Sequence, residues 1–349
     1  MYLSGVGCAL PTQRILNEEI LELVAYYSRG VYDGDLHSLL SKIKAKLRRI
    51  GITSRRWRAP RERPIELLQR ACESALRKSN LGSDDVDFVI YVGVDRGFAE
   101  PANACFIAKE LGMNGARTFD VADACLGWCT ATEIAQALFG SKPGAIALVV
   151  SAEFPMRFRG AVLPDSFAIA SDAELEWKFP AFTLGEAATA SLLIGEGPDW
   201  QYVHESHNEL ADLCTVGLGA SSDYAGKSDH IHASSTPQFC AYGRELTRQT
   251  VRPAIRVLRE LLSRVGTPSL ILPHSVMGPY VAELAARVSA QLTVFSTFAE
   301  LGNLATSSLP SSIVRAREQA VLNMRDAAIG WVAASGLKVS AFQILQISN

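Results

Sequence analysis

Apolar positions along this chain switch repeatedly between two periods. From Pro64 to Leu81, Ile65, Leu68, Ala71, Cys72, Ala75 and Leu76 recur at spacings of three and four, which predicts an amphipathic helix ended by Asn80-Leu81-Gly82. The continuous apolar run Phe88–Gly93 predicts a short buried strand. A helix over about Ala102–Leu111, a strand over Ala116–Val121, a helix over about Leu126–Phe139 and a strand over Ala145–Val150 follow. The same order returns downstream: helix Arg244–Val265, strand Ser269–Pro273, helix Pro279–Ala290, strand Leu292–Ser296, helix Ala305–Arg317 and strand Ala327–Ala333. Ser269 follows Phe88 by 181 residues, Asn303 follows Cys125 by 178, and Ala327 follows Ala145 by 182. The repeat is one of pattern, since identity between the halves is slight. Strands alternating with helices predict parallel sheets buried on both faces.

Ligands in open α/β sheets bind beyond the carboxyl ends of the strands. Three reactive side chains stand at such ends. Cys125 and Asn303 lie at strand-to-helix turns of opposite halves, predicted to face each other, and His274 ends a neighbouring strand. A thiol on the first turn of a helix meets the positive end of the macrodipole and unpaired N–H groups, both of which favour the attacking thiolate. Such a thiol accepts an acyl group from a thioester. The backbone N–H of Cys125 is a candidate donor to the tetrahedral oxyanion. The small-residue turn Ala334-Ser335-Gly336 offers a second, from Ser335. Together His274 and Asn303 can donate to the carbonyl of a second thioester and stabilise an enolate formed by decarboxylation.

Composition narrows the function classes. The chain has 349 residues, 48% of them hydrophobic and 20% charged, with a net charge of −2, which excludes wholesale disorder and a binder of nucleic acid driven by global basicity. At roughly 150 residues per domain it holds two domains or one large one. No apolar run reaches the roughly 18 residues of a membrane span, and no secretory signal is visible at Met1–Gly7, so a cytoplasmic protein without membrane contact is expected. Seven scattered cysteines without a CxxC pair read as free thiols. The pairs His204/His207 and His230/His232 lack a clear third ligand, so no metal site is expected. Phosphate-binding glycine loops are absent.

Charge is uneven. Residues 42–63 carry ten basic side chains and one acid, +9 against −11 for the rest. Two readings stay open: a solvated helix face followed by a surface loop, or a docking site for a phosphate-bearing partner, with Arg55 and Arg56 as cations and Trp57 stacking on a base.

The segments Gly5–Pro11, Gly51–Arg56, Phe119–Trp128 around Cys125, Leu184–Ala190, Pro273-His274 and Gly302-Asn303 together resemble the thiolase-fold condensing enzymes, in particular the ketoacyl-ACP synthase III-like branch, over nearly the whole length. The resemblance implies a five-layer αβαβα fold made of two pseudo-duplicated halves. These would be residues 1–200, carrying the nucleophile and inserted loops 30–63 and 154–184, and residues 201–349, carrying His274 and Asn303. It implies a homodimer that uses acyl-CoA or acyl carrier protein, with no cofactor beyond the CoA or phosphopantetheine of the substrate. Cys125 would be acylated, and His274 and Asn303 would act on a malonyl-type extender in a decarboxylative Claisen condensation.

Departures from the family pattern are visible. His-Gln-Ala-Asn becomes His274-Ser275-Val276-Met277, and a C-terminal glycine triplet becomes Ala334-Ser335-Gly336. A loop position often aromatic in the family, reaching across the dimer to the acyl pocket, is Glu100. These changes point away from the housekeeping enzyme and toward specialised metabolite biosynthesis. An alternative is a non-decarboxylating acyltransferase in which His274 acts as general base on an alcohol or amine. A catalytically silent partner subunit is a third possibility.

Overall fold

The computed structural model describes residues 1–156, 160–162, 164–218, 221–232, 238–266, 268, 270–274, 278–323 and 326–346. In chain order the first half contains β1 (Tyr2–Ala9), β2 (Gln13–Leu16), α1 (Asn17–Ser28), α2 (Leu36–Arg49), β3 (Ser54–Trp57), α3 (Pro64–Ser79), β4 (Phe88–Tyr91), α4 (Asn103–Glu110), β5 (Arg117–Asp120), α5 (Gly127–Ser141), β6 (Ile146–Glu153), α6 (Asp172–Lys178) and β7 (Ala187–Ile194). The second contains β8 (Tyr202–Ser206), β9 (Cys214–Gly217), β10 (Gln238–Ala241), α7 (Gly243–Val265), β11 (Leu270–Pro273), α8 (Gly278–Val288), β12 (Thr293–Val294), α9 (Phe298–Leu301), α10 (Ser308–Glu318), β13 (Ala328–Ala334) and β14 (Lys338–Ile344). Ser269 and Ser275–Met277, part of the sequence reading around His274, lie outside the described residues.

Two five-stranded sheets carry the fold, in the orders β1-β7-β6-β4-β5 and β8-β14-β13-β11-β12. Position for position the second order repeats the first, so the duplication inferred from spacing holds in three dimensions. The expected purely parallel sheets are corrected to mixed ones. β4 runs parallel to β5 and β6, but β7 is antiparallel to β6 and β1. In the second sheet β11 is parallel to β12 and β13, whereas β14 is antiparallel to β13 and β8. β14 follows β13 by a short return rather than a crossover helix, whereas β7 follows β6 across residues 154–186, which include α6.

Helices α5 and α10 fill the layer between the sheets. Their buried residues mix small side chains, Gly127, Cys129, Ala131 and Ala135 on one and Ser308, Ser311, Ser312 and Ala316 on the other, with large ones such as Trp128 and Ile313. One apolar cluster joins these helices to both sheets, with Trp128, Trp200, Ile313 and Phe342 buried at its centre. A second cluster seats α3 and α4 on the outer face of the first sheet, and another seats α7 and α8 on the second. These layers form an αβαβα sandwich. Burying each large side chain contributes about 1.5–3 kcal/mol.

Residues 30–63, expected as an inserted loop, are largely ordered structure. α2 buries Leu39, Ile43 and Leu47 and turns its lysines and arginines outward, and β3 pairs with β2. The 154–184 insertion likewise holds α6 and adds Val162, Phe167, Ile169 and Phe182 to the same apolar cluster as α2.

Candidate active site

The site is built on two strained turns. Ala124 and Ala305 both have φ of +45°, a left-handed conformation disfavoured for residues with a Cβ. Each opens a single 3₁₀ turn, Ala124–Leu126 or Ala305–Ser307, that runs into a central helix, α5 or α10. The two turns pack against each other, and the first also packs on β13. A Cβ on Gly127 would lie 3.0 Å from the Thr306 methyl and 2.9 Å from the Val92 carbonyl oxygen, so glycine is what lets them approach. The counterpart of Cys125 is therefore Thr306, each following its strained alanine, and not Asn303 as the spacing predicts. Asn303 precedes the turn.

Cys125 is partly exposed and packs against the central apolar cluster. Burial pushes its thiol well above the usual range, with the Cys214 and Glu153 groups adding to the effect. Burial thus disfavours a resting thiolate, against the expectation from the turn's N–H groups.

His274 follows β11 and is 8% exposed. Its backbone N–H donates to the Trp331 carbonyl at 2.9 Å, and its ring Nδ1 lies 2.9 Å from the Ser308 hydroxyl. Burial lowers its pKa to about 4, so the ring is neutral near pH 7. Asn303 is also buried. Its Oδ1 accepts from the Ala305 N–H at 2.9 Å, which makes the Nδ2 amide the donor end of the side chain. Its backbone is fixed on both sides, the N–H to the Thr183 carbonyl at 2.8 Å and the carbonyl from the Gly185 N–H at 2.9 Å. Gly302 has φ of +73° and sits where a Cβ would be 2.3 Å from the Thr183 oxygen, which explains the glycine before Asn303. His274 and Asn303 thus both bond to the segment 305–308, and Cys125 lies on the turn packed against it.

Beneath the turns lies a buried polar network that sequence reading missed. Glu153, at the end of β6, accepts from the N–H groups of Val94 at 3.1 Å, Asp95 at 3.3 Å and Thr306 at 3.2 Å, and from the Thr306 hydroxyl. Burial pushes its carboxyl up. Ser151 lies 2.5 Å from the Thr306 hydroxyl and 3.0 Å from that of Ser307, which lies 3.2 Å from Thr189. The available sequence signal was the hydroxyl run Thr306-Ser307-Ser308, separated from Gly302-Asn303 by Leu304 and Ala305.

Ser335 occupies the turn between β13 and β14, and its hydroxyl donates to the Cys214 carbonyl. Lys338 pairs with Asp123 at 2.6 Å, two residues before Cys125. Arg55 and Trp57 are corrected as docking residues. Arg55 is 0% exposed, bonded through Nη1 to Asn17 at 3.0 Å, and its Nε and Nη2 have no partner among the described residues. Burial lowers its pKa to about 10. Trp57 is buried against Phe167, and its indole N–H donates to the Leu184 carbonyl at 3.0 Å. Neither faces an incoming phosphate or base, because β3 turns them into the core. Arg56 is half-buried and donates to the Thr12 carbonyl. Glu100 is exposed on the loop before α4. Among the described residues no three His, Cys, Asp or Glu side chains gather as metal ligands. Four of the five histidines outside the site bond elsewhere, His204 to Glu133, His207 to Glu205 and Glu209, His230 to Asp212 and His232 to Tyr242. No helix among the described residues is long and apolar enough to cross a membrane.

No protein-family model matches the chain. Among curated proteins it is similar to beta-ketoacyl-[acyl-carrier-protein] synthase III of Nitratidesulfovibrio vulgaris, 26% identical over 287 residues that cover 78% of this chain and 81% of that protein. The Aquifex aeolicus protein of the same description is 25% identical over 283 residues, covering 80% and 82%. Among solved structures, Xanthomonas campestris OleA superposes with a TM-score of 0.80 at 20% identity, covering 99% of this chain and 97% of that one. The Aquifex aeolicus 3-oxoacyl-[acyl-carrier-protein] synthase III superposes with a TM-score of 0.75 at 20% identity, over 99% of each chain. The chain thus has the duplicated αβαβα thiolase-like fold of these structures and is similar in sequence to ketoacyl-ACP synthase III proteins.

Proposed function

We propose that this chain is an acyltransferase that works in two half-reactions, in specialised metabolite biosynthesis. The Cys125 sulfur attacks the carbonyl of an acyl-CoA or acyl carrier protein thioester. The backbone N–H groups of Cys125 and Ser335 hold the oxyanion, the carbon–sulfur bond to the carrier breaks, and the carrier leaves as a thiol with the proton. A malonyl-type thioester then loses carbon dioxide. The electron pair of the broken bond forms an enolate whose oxygen takes hydrogen bonds from His274 and the Asn303 amide. The enolate carbon attacks the acyl carbonyl on Cys125, the acyl carbon–sulfur bond breaks, and the sulfur leaves as a thiolate that takes a proton from water. The observation that carries this reading is that His274 and Asn303 are tied to one segment, 305–308, packed against the turn that bears Cys125. A neutral imidazole and an oriented carboxamide donate without needing a strong base.

OleA has been solved with bound lauric acid and lauroyl-CoA, which supports acyl-CoA as a donor here. Solved forms of OleA carry substitutions of a glutamate, a cysteine and a histidine, the glutamate 26 residues ahead of the cysteine. Glu100 stands 25 residues ahead of Cys125. In the proposed cytoplasmic homodimer, Glu100 of each subunit stands at the other's acyl pocket, where it would favour a polar substrate.

The testing assay supplies acyl thioesters with and without a malonyl thioester and follows free thiol, carbon dioxide and product. Carbon dioxide released in step with a 3-oxoacyl product supports condensation. Acyl transfer to alcohols or amines without carbon dioxide overturns it.

A further inference from the structure

We infer that Ser308 is a positioning residue that holds His274 as the tautomer with its proton on Nε2. The inference rests on the proposed role of His274 and deepens it.

The argument is one of hydrogen-bond accounting. Ser308 is 7% exposed, and its hydroxyl lies 2.9 Å from His274 Nδ1, the one partner found for it among the described residues. A neutral imidazole has one nitrogen that donates and one that accepts. If Nδ1 carried the proton, Ser308 would accept it and leave its own hydroxyl proton buried without an acceptor, a cost of about 1–3 kcal/mol. If Ser308 donates instead, both groups are satisfied and the ring proton sits on Nε2. Burial keeps the ring neutral, so this choice persists through the physiological range.

The serine is held rigidly. Thr306 is fastened to Glu153 and Ser151, and Ser307 to Ser151 and Thr189, so the two residues before Ser308 are anchored to the first sheet. His274 is anchored by its backbone to Trp331 on the second sheet. The Ser308–His274 bond therefore sets one half of the site against the other. The consequence is chemical: with Nδ1 occupied and Nε2 protonated, the free end of the ring is a donor. It suits an enolate or carbonyl oxygen and is unsuited to removing a proton from an alcohol or amine.

The test begins with the wild-type protein and needs no turnover. Nitrogen-15 NMR of histidine-labelled protein, with His274→Gln identifying the resonance, is expected to show a neutral ring protonated on Nε2. Protonation on Nδ1 overturns the inference, whether or not the protein proves to condense thioesters. The second arm compares Ser308→Ala and Ser308→Thr. Ser308→Ala is expected to leave the rate of Cys125 acylation within about twofold and to slow the malonyl-dependent step by about 10-fold or more, while Ser308→Thr restores it. Equal loss in both half-reactions, or unchanged condensation in Ser308→Ala, contradicts a positioning role. Failure of the wild-type chain to acylate Cys125 would count against the proposed function and leave the tautomer result standing.

Discussion

Ala124 and Ala305, 181 residues apart, share the same left-handed φ of +45° and open equivalent turns into the two central helices. One turn presents the Cys125 thiol. The other uses the equivalent position, Thr306, as a buried anchor on Glu153 and presents Asn303 and Ser308 on either side. Duplication thus produced two elbows, one for the nucleophile and one for the groups arranged around it.

The strain at the second elbow is accessible to measurement. A left-handed residue with a Cβ costs about 1–2 kcal/mol relative to its preferred region, and glycine relieves most of it. Ala305→Gly is expected to stabilise the protein by about 0.5–1 kcal/mol in urea unfolding, offset in part by the greater freedom glycine gives the unfolded chain. A loss of more than 1 kcal/mol would mean that the alanine methyl packs usefully.

The neutral His274 gives a pH signature. Its pKa is lowered from 6.5 to about 4, so the ring stays uncharged down to about pH 5. The malonyl-dependent step is expected to show no loss centred at pH 6.5, with any acid limb due to this ring appearing nearer pH 4. For stability the sign is the same. The unfolded chain binds the extra proton between these values, so the folded state loses stability as pH falls from 6.5 toward 4. A bell-shaped profile with an acid limb at 6.5 that vanishes in His274→Gln would contradict the buried, neutral ring.

Glu186 carries the opposite dependence. It is wholly buried, accepts from the N–H groups of Arg58 at 2.6 Å and Met156 at 3.0 Å, and burial raises its carboxyl to about 7. The folded state then holds a proton that the unfolded chain has released, so stability falls as pH rises from about 4.5 through 7. The effect is on the order of 3 kcal/mol at most. Glu186→Gln is expected to flatten this slope in denaturation series between pH 5 and 8. Identical slopes in variant and wild type would show that the carboxyl is ionised in the fold.

Arg55 tests the electrostatic expectation. Its guanidinium is sealed in the core, so Arg55→Met is expected to leave KM for a CoA thioester within about twofold, while stability stays near neutral because a poorly satisfied buried charge is exchanged for an apolar side chain. A KM raised about 10-fold in a folded variant would restore Arg55 to the binding surface.

Much of this architecture was legible in the sequence, because buried strands such as Phe88–Tyr91 and Leu270–Pro273 are continuous apolar runs and their spacing repeats. The antiparallel β7 and β14 were not: β14 follows β13 with no helix between them, and the α6 that lies between β6 and β7 packs with α2 instead of announcing a layer on the sheet. The charge run at 42–63 carried a solvated helix face as one of its two readings, which α2 fits, but it concealed β3, where Arg55 takes a core position that residue type alone argues against. His274, Asn303 and Cys125 stood out because their chemistry is distinctive and each lies shortly after an apolar run that reads as a strand. Ser308 and Glu153 did not. A serine at a helix start and a glutamate at a strand end are commonplace locally, and only the packing of the two halves gives them partners.

Intact-protein mass spectrometry of the wild-type chain and of Cys125→Ala, after brief mixing with a panel of acyl thioesters, tests the central claim most directly. The expected result is a single acyl mass on the wild type, mapped to Cys125, absent from the variant and discharged when a malonyl thioester is added. A Cys125→Ala protein that keeps full turnover, or a wild-type chain acylated only at other cysteines, would contradict the account.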